Sequence, residues 1–307
     1  MRRKALSQQI ILTLLLGIFL ASCAVSAETP AFNPTNTKTI DTALTEASLP
    51  TPTQTPEPTF TYTPTEIPHT PTPILTPTPQ WVYHEPGRIE APILLYHQVW
   101  GEVPTTRYQV SIPNFRAQMA AINDLGFTPI PLSIFLNALL EGGELPEKPI
   151  LITFDDGHES VYKHAFPIMQ EFGFPGTFYI VANRIHGSPE FVTVDQLTEM
   201  IKAGWEIGSH SYSHEDLTIN HSIVPKEIGQ SKEDLEAELG VTVETFAYPY
   251  GKIDSFTATK VSHFGYRAGM GLGTGKTHTW GSVFYLERIE IYGEYQLENF
   301  YEILSGE

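Results

Sequence analysis

Three features that often define a protein class are scarce in this 307-residue sequence. It has one cysteine, Cys23, so no disulfide can form within the chain. Basic residues number 18 against 35 acidic ones, and the formal charge of −17 leads us to expect no nucleic-acid partner. The apolar run at residues 10–20 is shorter than the roughly 20 residues that span a bilayer, so we expect no transmembrane helix there.

The amino terminus has the pattern of an export signal. Residues 2–4 are basic, an apolar stretch follows, and the segment Leu20–Cys23 resembles the lipobox of bacterial lipoproteins. The resemblance implies a signal peptide over residues 1–22, cleavage before Cys23 and lipidation of that residue. We therefore expect an exported protein that is lipid-anchored to the membrane and faces the cell exterior or periplasm. The alternative is an ordinary secretory signal cut after Ala27, which would leave no lipid anchor.

Residues 23–88 form a segment rich in threonine and proline. It contains 13 of the 25 prolines, and it has too few apolar side chains to offset the entropy of ordering. Proline favours the extended polyproline II conformation, so we predict a disordered but semi-rigid linker. Such a linker would hold the folded part of the chain at a distance from the membrane.

From Ile89 onward, strand-like and helix-like stretches alternate. Short apolar runs such as Ile93–Tyr96 and Ile150–Phe154 are typical of strands, and stretches such as Ser160–Phe172 are typical of helices. The alternation predicts one α/β domain over residues 89–307, built as a parallel barrel or a doubly wound sheet. In both architectures, active groups collect at the carboxyl ends of the strands.

Two adjacent carboxylates, Asp155 and Asp156, follow the apolar run Ile150–Phe154 and precede Gly157. Like charges side by side repel each other unless a cation lies close to them. A divalent metal ion is the usual cation, and the glycine lets the backbone turn near it. The alternative is a solvated Asp-Asp-Gly turn, which the pair on its own would favour.

His210 and His214 are four residues apart. On a helical turn this spacing directs both imidazoles the same way, so that they can bind one ion. Such a pair by itself more often lies on a solvated helix face. One carboxylate and two imidazoles with an open position are typical of a catalytic zinc site, although cobalt and nickel also suit these ligands.

Three motifs follow one another along the chain: Thr153–Gly157, the pair His210 and His214, and Phe246–Gly251. Together they resemble the polysaccharide deacetylases with NodB homology, carbohydrate esterase family four. The resemblance implies a distorted, incomplete (β/α) barrel of about seven strands. It also implies a metal-dependent hydrolase that removes N-acetyl groups from an N-acetylglucosamine-containing polysaccharide.

The resemblance assigns roles to individual residues. Asp155 matches the general base, Asp156 matches the metal-binding carboxylate, and His210 and His214 match the imidazole ligands. A metal ion there would acidify water and polarise the acetyl carbonyl, and Asp155 should stay ionised and take the proton. Tyr250 matches the position whose backbone N–H helps to hold the oxyanion.

An amide leaving group needs a general acid, which most family members place near the carboxyl end of the domain. Here the early pair Tyr96–His97 resembles a rearranged branch that includes the poly-N-acetylglucosamine deacetylases, so His97 is the candidate acid. The third motif usually begins with an arginine that orients the base, but this chain has Ala247 there. Arg288 is the candidate for the missing guanidinium, and Trp280 for the aromatic wall of the acetyl pocket.

Other functions are compatible with parts of this pattern. An O-acetyl esterase acting on xylan or a similar glycan would use the same site on an easier leaving group. A non-catalytic surface protein that binds glycans would be expected to lack the base or a metal ligand, and this chain has all of them. A metal phosphohydrolase would need basic residues near the motifs, where few occur. We expect a monomer that acts on a polysaccharide substrate.

Overall fold

The computed structural model of the chain describes residues 79–306, which form a curled sheet with helices packed against it. Its strands are β1 (Trp81–His84), β2 (Arg88–Glu90), β3 (Ile93–Tyr96), β4 (Gln98–Val99), β5 (Gln109–Val110), β6 (Thr128–Pro129), β7 (Gly143–Pro146), β8 (Pro149–Phe154), β9 (Thr177–Ile180), β10 (Glu206–Ser209), β11 (Thr245–Ala247), β12 (Ala268–Met270), β13 (Thr277–Thr279) and β14 (Ile289–Glu290). Its α-helices are α1 (Ile112–Asp124), α2 (Leu132–Glu141), α3 (Phe166–Phe172), α4 (Val194–Lys202), α5 (Ser231–Leu239), α6 (Ser255–His263) and α7 (Leu297–Ser305).

Seven strands lie side by side in the order β14-β3-β8-β9-β10-β11-β12, and every neighbouring pair is parallel. β6 adds a further parallel pair with β8. One segment connects the two edges of this sheet, because Leu286 bridges Met270 of β12 while Ile289 pairs with Leu94 of β3. The predicted α/β class and incomplete barrel of about seven strands are confirmed.

The register of the strands decides which residues meet at the carboxyl edge of the sheet. β3 and β8 pair Tyr96 with Phe154, so the next residues, His97 and Asp155, follow at neighbouring positions. The N–H of Asp155 donates to the Tyr96 carbonyl at 3.0 Å, which continues the pairing by one residue. β10 pairs with β9 and β11 and ends at the same edge, so His210 follows it there.

An aromatic cluster fixes the end of β8. Phe154, the last residue of this strand, is fully buried and stacks on Tyr96 and Trp205, with ring centroids 5.5 and 5.3 Å away. Phe115 and Phe178 approach the same ring at 6.0 and 6.3 Å. Successive residues of a strand face opposite sides of the sheet. Because Phe154 faces the helices, the next side chain, that of Asp155, faces the inside of the half-barrel.

The folded domain begins before the predicted boundary between residues 88 and 89. β1 pairs antiparallel with β7, and β2 pairs with β13. The side chains of Trp81, Val82 and Tyr83 are 44%, 41% and 59% exposed, so backbone pairing rather than apolar burial holds β1 in place. A prediction that relied on buried apolar residues could not detect this strand.

The predicted signal peptide over residues 1–22, the lipidation site Cys23 and the predicted linker up to residue 78 lie outside the described residues. Residues 79–88, also predicted as linker, belong to the folded domain. Within residues 79–306, no helix combines the length and the apolar composition that crossing a membrane requires.

Candidate active site

A cavity lies at the carboxyl ends of the strands that form the centre of the sheet. It is lined by His97, by both aspartates of the Asp-Asp pair, by both predicted histidine ligands, and by Tyr250 and Arg288. A second cavity lies at the amino ends of β10 and β11. Mainly apolar side chains line it, together with Glu206, whose carboxylate accepts backbone N–H bonds at the start of α2. The predicted catalytic groups thus collect in the first cavity.

Asp155 is buried and forms a two-pronged ion pair with Arg288. Nη1 of the guanidinium donates to Oδ1 and Nη2 donates to Oδ2, both at 2.7 Å. The guanidinium is itself buried, donates from Nε to the Gly271 carbonyl at 3.2 Å, and lies 5.1 Å from the centre of the Tyr179 ring. Arg288 is the sequence-based candidate for the guanidinium that orients Asp155, and the structure places the two side chains in contact.

Opposing effects set the pKa of the Asp155 carboxyl. Burial raises this pKa because the charged form loses solvation. Arg288 and His210 together lower it by more than burial raises it, so the pKa is about 2. Burial likewise disfavours the charged form of Arg288, but Asp155 raises its pKa, so the guanidinium stays charged. Both groups are therefore ionised at neutral pH.

Asp156, His210 and His214 each offer a donor atom, and the three atoms lie within 4.8 Å of one another. Nδ1 of His210 donates to the Ala247 carbonyl at 2.8 Å, which leaves Nε2 unprotonated in the neutral ring. Burial and the neighbouring His210 lower the pKa of His214 to about 4, so at neutral pH it has the uncharged form that binds metals. Two imidazoles and a carboxylate fit a divalent cation such as zinc.

The two histidines do not lie on a helical turn, contrary to the prediction. Residues 210–214 form an irregular loop after β10. The Ser211 carbonyl accepts from Ala182, and Ser213 donates through its N–H and its hydroxyl to the buried Glu227 at 2.8 and 2.7 Å. This anchored loop, rather than helical periodicity, brings the two imidazole centroids to 4.7 Å.

Backbone strain is concentrated around the cavity. Among residues 79–306, the non-glycine residues with a positive φ are Asp156, Ser211, His214 and Tyr250. This left-handed region is unfavourable for residues with a Cβ and costs about 1–3 kcal/mol at each position. Three of the four line the cavity, and the fourth lies in the loop between the two histidines. Such strain persists only where the surrounding structure enforces it.

His97 follows β3 and lies beside an acidic side chain that sequence reasoning missed. Its Nδ1 is 3.7 Å from Oε1 of Glu290, and this buried nitrogen has no hydrogen-bond partner among residues 79–306. The other carboxylate oxygen of Glu290 accepts from the Tyr292 hydroxyl. Arg288, Glu290 and Tyr292 alternate along one segment and therefore share a face. That period of two could have identified Glu290 once Arg288 had been chosen.

Arg184 is a second residue that the sequence did not mark. Its Nη1 lies 3.5 Å from Oδ1 of Asp156, and its guanidinium lies 4.8 Å from the centre of the Phe191 ring. It comes from the short helical turn Ala182–Arg184 after β9, where no motif or spacing points to it.

Tyr250 and Trp280 have different positions relative to the cavity. Tyr250 lies in the turn Pro249–Gly251 after β11, with its ring 4.7 Å from that of His214. Trp280 is 56% exposed, and its backbone N–H donates to the Gly87 carbonyl at 3.2 Å. Gly87 precedes β2 and β3, away from the carboxyl end of β3, so the prediction that Trp280 walls the acetyl pocket is corrected. The tyrosines that line the cavity are Tyr108, Tyr248 and Tyr250.

Residues 142–269 match the family model described as polysaccharide deacetylase, and this range includes the Asp-Asp pair and both histidines. This chain contains a polysaccharide deacetylase domain. The chain is also similar to the poly-beta-1,6-N-acetyl-D-glucosamine N-deacetylase of Staphylococcus aureus, strain MRSA252. The two are 26% identical over 199 residues, which cover 60% of this chain and 68% of the relative.

Solved structures share the fold of this deacetylase domain. The deacetylase PplD of Streptococcus pyogenes, solved with acetate, aligns with a TM-score of 0.64 at 24% identity and covers 70% of this chain and 98% of its own. IcaB from Ammonifex degensii aligns with a TM-score of 0.60 at 24% identity and covers 72% of this chain and 98% of its own. These likenesses concern the fold, which they confirm as the NodB type.

Arg288→Gln should destabilise the protein more at neutral than at acidic pH. Because Arg288 holds the pKa of Asp155 at about 2, the ion pair contributes fully above the ordinary carboxyl pKa of about 4 and is lost as the pH falls toward 2. Without the guanidinium, the ionised Asp155 is a buried charge with no partner at neutral pH, which costs about 3–5 kcal/mol of stability. The free energy of unfolding of the wild type and of Arg288→Gln, measured in urea at pH 7 and at pH 3.5, tests this prediction.

Arg116→Gln is the matched control. Arg116 makes the same two-pronged contact with Glu171, but both side chains are about half exposed, so we expect little change at either pH. Adding Asp155→Asn to Arg288→Gln should recover part of the lost stability, because no unpaired charge then remains. Equal losses at both pH values for Arg288→Gln alone would contradict this account.

Proposed function

We propose that this protein is a metal-dependent hydrolase that removes N-acetyl groups from an N-acetylglucosamine-containing polysaccharide. The products are acetate and a free amine on the sugar. The observation that carries this proposal is the grouping, in one cavity, of a buried ionised carboxylate, three metal-type donors and a histidine paired with an acidic side chain. These are the base, the metal ligands and the acid that amide hydrolysis requires.

Asp156, His210 and His214 would hold the cation. Zinc is the first candidate, because the donors are two imidazoles and one carboxylate, and cobalt or nickel would also suit them. The hydrogen bond from Nδ1 of His210 to Ala247 supports this role, because it fixes the tautomer that leaves Nε2 free for a metal bond. When bound, the ion supplies a positive charge that makes a water more acidic and a carbonyl more electrophilic.

Asp155 is the proposed general base. Its Oδ2 lies 3.6 Å from Nε2 of His210, so the carboxylate is next to the metal-type donors. Arg288 holds both oxygens and therefore gives the carboxylate a single orientation in which to accept a proton from an attacking water. The same contact lowers the basicity of Asp155. Arg288 therefore fixes the orientation of the carboxylate and at the same time reduces its affinity for a proton.

His97 is the proposed general acid. An amine anion is a poor leaving group, so the nitrogen must receive a proton as the bond to carbon breaks. Because Nδ1 of His97 faces Glu290, Nε2 is the nitrogen that can deliver this proton. The backbone N–H of Tyr250, in a turn with positive φ, is the proposed donor to the oxyanion.

The relative from Staphylococcus aureus is named for poly-beta-1,6-N-acetyl-D-glucosamine, which makes this polymer the first substrate to test.

The purified protein with zinc should release acetate from an N-acetylglucosamine polymer. Asp155→Asn should lower this rate by about 10²–10⁴-fold because it removes the base. Asp155→Asn should still retain zinc, whereas His210→Gln should lose it. Acetate release and the zinc content after dialysis are the two measurements.

His263→Gln is the matched control for the zinc measurement, since His263 is an exposed histidine at the end of α6 and should change neither quantity. No acetate from poly-beta-1,6-N-acetylglucosamine, chitooligosaccharide or peptidoglycan by the zinc-loaded protein would overturn the proposed reaction. Release from acetylated xylan alone would assign the site to an O-acetyl esterase.

His97→Ala should reduce amide hydrolysis more than ester hydrolysis. An alkoxide leaves more easily than an amine anion, so the ester depends less on the acid. We expect a loss of about 10²–10⁴-fold on an N-acetyl oligomer and a much smaller loss on an aryl acetate. Glu290→Gln should cause an intermediate loss on the amide, because His97 keeps its ring but loses the acidic neighbour. Equal losses on both substrates would reject His97 as the acid.

We further propose that the protein is exported and lipid-anchored through Cys23, on the basis of the lipobox-like sequence at residues 20–23. Cys23→Ser should move the protein from the membrane pellet to the soluble fraction of the producing cells, because the anchored acyl chains are lost. Ser26→Ala, three residues further on, should stay in the pellet. Unchanged membrane association of Cys23→Ser would reject the anchor.

A further inference from the structure

An aromatic surface lies next to the cavity and is not used by the proposed reaction. The indole of Trp100 is 47% exposed. The imidazoles of His158 and His164 meet it at 6.5 and 5.4 Å between ring centroids, at steep angles of 86° and 72°. The ring of Phe191 lies 6.4 Å beyond His158. We call these four residues the Trp100 platform.

Contacts connect the Trp100 platform to the metal-type donors. His158 follows Asp156 by two residues and forms a β-bridge with Phe191. The guanidinium of Arg184 lies 4.8 Å from the centre of the Phe191 ring and 3.5 Å from Oδ1 of Asp156. The platform is therefore continuous with one side of the cavity.

The backbone of Trp100 is held in place although its side chain is exposed. Trp100 follows His97 by three residues, and its backbone N–H donates to the Val110 carbonyl at 3.0 Å. The N–H of Val99 donates to Oγ of Ser160 at 3.3 Å, which ties this segment to the chain that follows β8. An indole on a fixed backbone loses less conformational freedom when a ligand binds to it.

His158 presents a hydrogen-bond donor of defined position. The N–H of Ser160 donates to Nδ1 at 3.1 Å, so the proton of the neutral ring is on Nε2. Within residues 79–306, the hydrogen bonds of His158 involve Nδ1 alone. Nε2–H is therefore available to a ligand that lies on the platform.

We propose that the Trp100 platform is a subsite for a sugar ring that neighbours the deacetylated one in the same polysaccharide. The C–H face of the ring packs on the indole of Trp100, and a hydroxyl or acetamido oxygen accepts from Nε2–H of His158. This inference rests on the proposed function. It adds that the Trp100 platform makes the enzyme prefer longer saccharide substrates.

The chemistry of the platform matches a pyranose better than an anion. A pyranose ring combines an apolar face of C–H groups with polar oxygens at its edge, and an exposed indole beside an N–H donor is complementary to both parts. A phosphate or carboxylate would instead need a free cation. Arg184 is already directed at Asp156 and Phe191, and Nζ of Lys163, the residue before His164, lies 2.7 Å from Oε2 of Glu159.

Chain-length dependence tests the proposal. The zinc-loaded protein is assayed on N-acetylglucosamine oligomers of increasing length and on an aryl acetate. Trp100→Ala should raise KM for the longer oligomers by roughly two- to tenfold, which is the value of one aromatic contact, and should leave kcat and the aryl acetate rate nearly unchanged. Trp100→Tyr should restore most of the affinity. His158→Phe keeps a ring against the indole but removes the donor, so it should give a smaller rise in KM.

Trp280→Ala is the matched control, because Trp280 is also about half exposed but lies away from the cavity. Intrinsic fluorescence supplies a readout that does not need turnover. Adding an oligomer should change the tryptophan emission of the wild type and of Trp280→Phe, but not of Trp100→Phe.

The two proposals fail in different ways. If oligomers change the emission through Trp100 but no acetate is released, the subsite stands and the deacetylase reaction falls. If acetate is released but Trp100→Ala leaves KM and emission unaltered at every length, the subsite is overturned. A loss of aryl acetate activity in Trp100→Ala would also overturn it, because the residue would then act on the reacting group.

Discussion

The buried ion pair between Asp155 and Arg288 is the interaction on which the rest of the site depends. A carboxylate in this position would be costly without a guanidinium, because burial alone opposes its charged form. Arg288 immediately precedes β14, the strand that pairs with β3 while Leu286 bridges β12. The contact that keeps Asp155, the proposed base, ionised is therefore made by the same segment that joins the two edges of the half-barrel.

Tight packing and backbone strain occur together at the carboxyl ends of the central strands. An aromatic cluster around Phe154 packs on the helix side, and the residues with positive φ lie just beyond the strand ends. The loop that carries His210 and His214 is held by Glu227, a buried carboxylate that accepts twice from Ser213. A well-packed core can enforce strained conformations that no local sequence preference would select.

The early position of His97 follows from sheet topology. β3 is the earliest strand of this sheet in the sequence, and it lies next to β8. A residue near the start of the domain therefore becomes a neighbour of Asp155. β14 flanks β3 on its other side, which brings Glu290 to the same histidine. The proposed acid His97, its neighbour Glu290 and the proposed base Asp155 thus come from three adjacent strands.

The sequence by itself determined the α/β class, the alternation of elements and the Asp-Asp and histidine motifs, because hydrophobic period and residue chemistry are local properties. It also singled out Arg288 from the need for a positive charge. The tertiary structure alone decided the partner of His97, the irregular loop that joins the two histidines, the strand β1 and the position of Trp280. Each of these depends on contacts between residues far apart in the sequence, and such contacts leave no periodic trace in the chain.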